Sequence, residues 1–165
     1  MEIQNLELVT ALRHRLHQHP ELSGRETWTK EHLMDFLHRH TGLAVVDRGS
    51  WFYAAYACSS GAPAIDFRAD YDAIAMEEGI NLPYGSQNPG VAHTCGHDGH
   101  SATLAGLALE VDQKGAGRDV YFLFQPAEET GQGAEGCNAL LREPPEIAEI
   151  YALHNMPGSP LGTVA

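Results

Sequence analysis

The sequence lacks any apolar run that approaches the ~18 residues needed by a membrane-spanning helix. Its N-terminus, MEIQNLELVTALRHR, has neither the basic region nor the compact apolar stretch of a secretory signal peptide. Basic residues are also scarce: 10 Lys and Arg stand against 22 Asp and Glu, which gives a formal net charge of −12. An acidic surface repels phosphate backbones. We therefore expect neither a membrane nor a nucleic acid as a partner.

Cysteine is nearly as scarce, with three residues at positions 58, 95 and 137. An odd number at wide spacing forms no disulfide framework and is typical of a reducing compartment, so the sequence predicts a cytoplasmic protein. Two reactive patterns are missing. No C-x-x-C motif supports a thiol–disulfide function, and no G-x-S-x-G motif supports a serine hydrolase.

The remaining composition is typical of a folded domain. Hydrophobic residues make up 43% of the chain and charged residues 19%, which excludes a disordered protein. A length of 165 residues corresponds to one domain that can bury a core.

Two amphipathic helices are predicted at the start of the chain. Residues 3–18 carry leucines at i, i+4 spacing and stop before Pro20. The segment Ser23-Gly-Arg-Glu26 has the pattern of a capping box, so it predicts the start of a second helix that ends near Gly42. The apolar face of this helix carries Leu33, Phe36 and Leu37.

The rest of the chain predicts an α/β fold. Three strand-like segments, 43–47, 51–57 and 64–69, precede a long loop over 70–94. The later elements are a helix from near His97 to about Gln113, a strand over 120–124, a helix over 132–142 and a strand over 147–153. The order from residue 64 is therefore β-α-β-α-β. We expect a central mixed, largely parallel sheet flanked by helices, with the earlier hairpin as an antiparallel edge.

Acidic, thiol and imidazole groups follow the predicted strands of this unit. They are Asp70 and Asp72, then the segment His93-Thr-Cys95-Gly-His97-Asp98-Gly-His100, then Glu128 and Glu129, and finally His154. In open α/β sheets, ligands bind outside the carboxyl ends of the strands. Cysteine, histidine and carboxylate together are the ligand set of zinc and similar divalent ions. The sequence therefore predicts a metal site at this edge.

Single residues of this set differ in what they indicate. Cys95 lies in a Gly-rich polar segment two residues before a histidine, which favours metal ligation, whereas Cys58 and Cys137 are typical of small buried apolar side chains. For His100, a ligand role and a capping or supporting role are equally open. Asp98 is a candidate to orient a ligand histidine. Paired carboxylates after a buried strand and a proline, as at 128–129, favour a functional role.

The other histidines predict no site. His14, His17 and His19 lie at or just beyond a helix end, where we expect them to be solvated or locally hydrogen-bonded. The remaining three, His32, His38 and His40, are expected on a wet helix face.

Five stretches carry a family resemblance, in order along nearly the whole chain. They are R-H-R-L-H-Q-H-P-E-L-S-G-R-E (13–26), D-F-R-A-D-Y-D-A-I (66–74), N-P-G-V-A-H-T-C-G-H-D-G-H-S-A (88–102), F-Q-P-A-E-E-T-G-Q-G-A (124–134) and A-L-H-N-M-P-G-S-P-L-G-T-V-A (152–165). At these residues the sequence resembles the metal-dependent amidohydrolases of the aminoacylase, hippurate hydrolase and indoleacetyl-amino-acid hydrolase type. N-acetyl-diaminopimelate deacetylases belong to the same branch.

The resemblance implies a site and a reaction. Carried over position by position, it makes Cys95, His97, Glu129 and His154 metal ligands, Glu128 the general base, and Asp70 an acidic residue that supports the site. It implies a zinc-peptidase-like α/β domain that binds two divalent ions, zinc or manganese, in the intact architecture. The implied reaction is hydrolysis of the amide bond of N-acyl amino acids or short peptides.

The resemblance also implies that residues 1–165 are the N-terminal portion of the catalytic domain, without the lid and dimerisation domain or the returning catalytic segment. The resemblance further implies that histidines supplied by those parts complete the second metal site and help to stabilise the oxyanion. The chain alone is then expected to be weakly active or inactive, with a homo-oligomer or a complementary chain as partner. The alternative from another class is a non-catalytic metal-binding or interaction module that retains half of the fold.

Overall fold

A computed structural model describes residues 2–143, 146–156 and 158–160 of the chain. The last residues of the fifth motif stretch, 161–165, lie outside this part. The helices are α1 (Ile3–Gln18), α2 (Thr27–His40), α3 (His97–Lys114) and the short α4 (Gly133–Cys137), which a 3₁₀ turn (Leu140–Arg142) follows. The strands are β1 (Ala44–Asp47), β2 (Phe52–Tyr56), β3 (Ala64–Asp70), β4 (Val120–Gln125) and β5 (Ile147–Ala152).

The five strands form one mixed sheet in the order β1-β2-β4-β3-β5. Strand β3 runs parallel to both β4 and β5, whereas β2 pairs antiparallel with β1 and β4. The parallel pairing of β3 and β4 requires a long crossover, which α3 supplies. The predicted fold class and the antiparallel hairpin edge are confirmed; two of the four strand pairings are parallel.

The main core lies between the sheet and helices α1, α2 and α3. Strand residues at alternate positions point into it, as the period of two in a pleated strand requires, and the rings of Phe52 and Phe124 stack with centroids 4.5 Å apart. Of the leucines predicted for the apolar helix faces, Leu12, Leu16, Leu33 and Leu37 are buried there, and Leu8 is half-buried at the edge of the core. A second, smaller cluster contains Trp51, Leu123, Cys137 and Leu140. Cys137 is thus a buried apolar side chain, as predicted, while Cys58 is only half-buried.

The predicted capping box is wrong. Helix α2 begins at Thr27, and its free amides are met by the carboxylate of Glu21, which accepts hydrogen bonds from the main-chain N–H groups of Trp28 (3.3 Å) and Thr29 (2.8 Å). A carboxylate that arrives from outside the local four-residue pattern serves the same physical need. The side chains of Ser23 and Glu26 are thereby free to contact distant parts of the chain.

Two other predictions differ in detail. The helix expected over 132–142 is divided after Cys137 into α4 and the 3₁₀ turn, and the two glycines of α4, at 133 and 136, keep this helix short because glycine has low helix propensity. The long loop after β3 is present; a short bridge of Leu22 with Ala73 joins it to the segment between α1 and α2, and a bridge of Ile74 with Ala92 joins its two ends. In the described part of the chain, no helix is both long and apolar enough to cross a membrane.

Candidate metal centre

Four separate segments place polar and thiol side chains at the carboxyl edge of the parallel strands. Asp70 ends β3 and Asp72 follows it, Cys95 and His97 lie at the start of α3, Glu128 and Glu129 follow β4, and His154 follows β5. Gly96 allows the sharp entry into α3, since its φ is +99° and a Cβ there would lie 2.8 Å from Asn155 Oδ1. Only glycine tolerates both conditions.

The predicted ligands and the predicted base surround the ring of His97. Its Nε2 lies 3.7 Å from Glu129 Oε1 and 3.8 Å from Glu128 Oε2. Cys95 Sγ lies 3.5 Å from His154 Nε2. Potential ligand atoms of His97, Cys95 and His154 lie within 4.8 Å of one another, and so do those of His97, Glu128 and Glu129. The structure brings all five residues together, and their roles stay predictions.

The tautomer of His97 decides what this arrangement can bind. Nδ1 of the buried ring faces two acceptors, the main-chain oxygen of Asp72 (3.0 Å) and its Oδ1 (3.1 Å), so Nδ1 carries the proton. Nε2 is buried and has no hydrogen-bond partner among the described residues. Its lone pair therefore points towards carboxylates and a thiol. This donor set fits a divalent cation, with Asp72 as the partner that orients the ligand histidine.

Asp70 and His100 form a buried pair next to His97. Asp70 Oδ1 accepts a hydrogen bond from His100 Nδ1 (2.8 Å), and Asp70 Oδ2 accepts one from Arg68 (2.8 Å). His100 Nε2 accepts the main-chain N–H of Asn155 at 3.0 Å. Because both ring nitrogens of His100 are engaged, the geometry favours its supporting role over ligation. Asp70 Oδ1 lies 3.8 Å from His97 Nε2, which places its charge beside the centre.

Residues 67–165, more than half of the chain, match the model of peptidase family M20/M25/M40. The chain belongs to this family. The resemblance seen in the motifs is confirmed. Among the solved structures, a dinuclear metal binding peptidase of the M20 family from Bacillus subtilis superposes with a TM-score of 0.90 at 32% identity, over 98% of this chain and 46% of that one.

The curated relatives of this M20-family chain include deacetylases. An N-acetyl-L-cysteine deacetylase of Bacillus subtilis is 38% identical over 166 residues, which cover 93% of this chain and 37% of that protein. An N-acetyldiaminopimelate deacetylase of Exiguobacterium sibiricum is 34% identical over 172 residues, which cover 97% of this chain and 44% of that protein. The chain thus spans about two fifths of the length of these relatives.

Burial, hydrogen bonds and neighbouring carboxylates all change the pKa values of side chains in the centre of this M20-family chain. Burial by itself would lower the pKa of His97, but the hydrogen bond to Asp72 and nearby carboxylate charges outweigh it, so the pKa is raised. Burial opposes ionisation of Asp72, but hydrogen bonds from His97 and other donors hold its pKa at about 2. Burial, reinforced by Glu129, raises the pKa of the Cys95 thiol to about 11. Without a cation, the thiol is therefore neutral at pH 7, and ligation as a thiolate requires the loss of its proton.

Ligation by the Cys95 thiolate predicts how many protons are released when a metal ion binds. In the Cys95→Ser variant we expect zinc affinity to fall by at least about 10–100-fold, because even the loss of a partner that merely supports a ligand costs this much. At pH 7, zinc binding to the wild type should also release about one proton more than binding to the variant. Calorimetric titration in buffers of different ionisation enthalpy measures both quantities. Cys58→Ser removes a half-buried thiol outside the centre and is the matched control; equal affinity and proton release in Cys95→Ser and Cys58→Ser contradict the assignment.

The candidate role of Asp98 is wrong. Its carboxylate does not contact His97: Oδ2 is hydrogen-bonded to His17 Nδ1 (2.8 Å) and to Arg13 Nε (3.2 Å), both on α1. The side chain of a helix residue points away from that of the residue before it, so Asp98 faces α1 when His97 faces the centre. Asp72 orients His97 instead. The sequence feature that could have identified Asp72 is its position two residues after Asp70, just beyond a buried strand.

His17 also differs from the prediction for its cluster. It is buried between Asp98 and Glu78, with 2.6 Å between His17 Nε2 and Glu78 Oε1, rather than solvated at a helix end. The hydrogen bond to Asp98 raises the pKa of His17, although burial opposes this. His14 stacks on Tyr84 with ring centroids 3.7 Å apart. These contacts join α1 to the long loop and to α3. They therefore stabilise the position of α3, which carries His97.

Proposed function

We propose that residues 1–165 form the N-terminal portion of a catalytic domain that hydrolyses the amide bond of N-acyl amino acids or similar amides with the help of a divalent cation. The observation that carries the proposal is the buried Nε2 of His97. It has no hydrogen-bond partner among the described residues and faces a thiol and two carboxylates from separate segments. Leaving a buried polar atom such as this nitrogen without a partner is unfavourable, and a cation held between it, the thiol and the partly exposed carboxylates would remove that cost.

Cys95, His97, Glu129 and His154 would hold the cation. Thiolate and imidazole donors favour zinc, while the carboxylate also suits manganese. When bound, the cation supplies Lewis acidity, which lowers the pKa of a water molecule from 15.7 to about 7. Asp72 keeps the Nε2 lone pair of His97 available for this role.

Glu128 is the proposed general base. Its side chain is about one-third exposed at 35%, so it reaches solvent and still lies 3.8 Å from His97 Nε2. Glu128 takes a proton from the attacking water as oxygen adds to the amide carbonyl. It then returns that proton to the leaving amine nitrogen. The products are a carboxylic acid and a free amino acid.

The substrate class follows from the relatives. Two of them are named as deacetylases of N-acetyl-L-cysteine and N-acetyldiaminopimelate. Both names describe an acetyl group on the nitrogen of an amino acid. We infer that this chain takes part in the same type of reaction, on an N-acyl amino acid.

Metal removal tests the proposal. Release of free amino acid from a panel of N-acetyl amino acids should fall to background after chelation and return when zinc or manganese is added. Metal analysis of the same samples should show a loss and recovery of bound ion in parallel. If residues 1–165 bind the ion but accelerate no amide hydrolysis even together with the rest of the catalytic domain, they form the non-catalytic metal-binding module instead.

A further inference from the structure

The turn that presents Glu128 has a strained backbone. Ala127 has φ +48°, and among the described residues it is the only one other than glycine with a positive φ. This left-handed conformation is unfavourable for any residue that carries a Cβ. Such strain persists only where surrounding contacts hold it, and it is common at functional sites.

The contact that holds Ala127 comes from a distant carboxylate. Glu26, immediately before α2, accepts a hydrogen bond from the Ala127 main-chain N–H with its Oε1 at 2.7 Å, across 101 residues of sequence. Two residues further on, Asp72 Oδ2 accepts the main-chain N–H of Glu129 at 3.1 Å. Glu128 therefore lies between two amides that are each anchored by a buried carboxylate.

The turn is closed on its other side. The Ala127 carbonyl accepts hydrogen bonds from the N–H of Gly133 (3.2 Å) and from Thr130 Oγ1 (3.2 Å). At Gly133 a Cβ would lie only 1.6 Å from the Pro126 carbonyl oxygen. The chain thus passes too close to itself for any residue larger than glycine, and the carboxylate of Glu26 completes the enclosure of Ala127.

The other contacts of the Glu26 carboxylate are local, to the main-chain amides of Gly24 and of Glu26 itself. Glu26 directly precedes α2, but its side chain makes no capping hydrogen bond, because Glu21 meets the free amides of that helix. It is only 7% exposed, and no ion pair in the described part of the chain includes it. Burial raises its pKa, with the charge of Asp72 adding to this and the Ala127 amide opposing it. A buried acid costs folding free energy, so we infer that its contact with Ala127 has a function.

We propose that Glu26 is a positioning residue that holds Ala127 in its left-handed conformation and so directs Glu128 into the metal centre. The inference rests on the proposed function, since the position of Glu128 matters only if it acts as the base. It assigns to Glu26 no contact with substrate or cation.

Glu26→Ala tests this role. Without the acceptor, Ala127 relaxes and Glu128 moves, and a displacement of about 1 Å at a reacting group costs about 10²-fold in rate. We expect kcat to fall about 10–100-fold with little change in KM or bound zinc. Glu26→Gln keeps an acceptor oxygen at the same reach and should retain most of kcat. Glu26→Asp is too short and should resemble Glu26→Ala.

A second substitution separates strain from general damage. Glycine adopts a positive φ readily, so Ala127→Gly removes the need for an external anchor. In the Ala127→Gly background, Glu26→Ala should cost clearly less kcat than in the wild type, which a double-mutant cycle measures. Glu21→Ala is the matched control. It removes the cap of α2 and should lower Tm without changing kcat.

Hydrogen exchange of the Ala127 amide gives a readout that does not depend on activity. Exchange should be faster in Glu26→Ala and Glu26→Asp and remain slow in Glu26→Gln. Unchanged exchange or unchanged kcat in folded Glu26→Ala or Glu26→Asp would overturn the proposal. Equal impairment in Glu26→Gln and Glu26→Asp, or equal losses in both backgrounds, would overturn it as well. If the wild type hydrolyses no N-acyl amino acid even together with the rest of the catalytic domain, the proposed function fails, while the exchange rates still decide whether Glu26 anchors Ala127.

Discussion

Replacement of Glu128 by glutamine is expected to lower kcat for hydrolysis of an N-acetyl amino acid by about 10²–10⁴-fold, the range that a positioned acid–base group contributes. Glutamine has a similar shape but cannot take the proton of the attacking water. The carboxylate of Glu129, the proposed ligand, remains in place, so the amount of bound zinc should not change. Steady-state kinetics together with metal analysis of the same preparation measure both effects.

The two neighbouring carboxylates provide the internal comparison. Glu129→Gln should weaken zinc binding, and its activity should recover in part at high zinc concentration, whereas Glu128→Gln should not recover. Glu7→Gln, at an exposed position of α1, is the control for a change of charge alone. If Glu128→Gln loses zinc but keeps its activity per bound ion, the roles of the two residues have been exchanged.

The second large effect concerns stability and comes from Asp66 on β3. Asp66 is completely buried, and neither of its carboxylate oxygens has a hydrogen-bond partner among the described residues. Burial raises its pKa to about 7, although the neighbouring Phe67 amide opposes this. In the unfolded chain, the pKa of an aspartate is about 3.9. The folded protein therefore holds this proton over a range of pH in which the unfolded chain has lost it.

The sign of the pH dependence follows. Below pH 4 both states are protonated, and Asp66 makes no difference to stability. Between about pH 4 and pH 7, folding requires uptake of a proton, so stability falls as the pH rises; above pH 7 the full penalty is present. A pKa difference of about 3 corresponds to about 4 kcal/mol. Asp66→Asn does not titrate, so its stability relative to the wild type should increase by about this amount between pH 4 and pH 8.

Urea unfolding at several pH values measures this difference. The comparison with the wild type is essential because buried acids with a lowered pKa, such as Asp72 and Asp98, change stability in the opposite direction in both proteins. Asp35→Asn is the control, since the side chain of this acid is 44% exposed and pairs with Arg39 one helical turn away. Exposed pairs of this kind contribute less than about 1 kcal/mol. A stability difference for Asp66→Asn that is flat from pH 4 to pH 8 contradicts the prediction.

Most elements were predictable from local pattern. The leucine spacing in α1 and the apolar runs of β3 and β4 predict the type and the position of these elements. Backbone geometry sets a period of 3.6 residues in a helix and of 2 in a strand. The segment 132–142 was less predictable. Its apolar residues suggest one helix, but the structure divides it after Cys137. Glycine is required at 133 because the Pro126 carbonyl approaches so closely there.

The residues of the candidate site could be predicted from the sequence, but the residues that hydrogen-bond to them and fix their positions could not. Cys95, His97, Glu128, Glu129 and His154 follow strands that end at one edge of the sheet, so topology alone brings them together. Partners of these residues come from other parts of the chain, and sequence spacing carries no information about them. Asp98 is adjacent to His97 in sequence and yet faces α1, while Asp72, 25 residues away, holds the ring of His97.

The amino-acid sequence by itself determined the family, the α/β class and the set of side chains at the centre, since all of these depend on residue types at short range and on the order of motifs. Only the tertiary structure decided which carboxylate accepts a hydrogen bond from which donor. Asp72 orients His97, Glu21 caps α2, and Glu26 holds Ala127. The physical reason is that a hydrogen bond depends on distance and direction in space, and these arise only when helices α1 to α3 pack on the sheet.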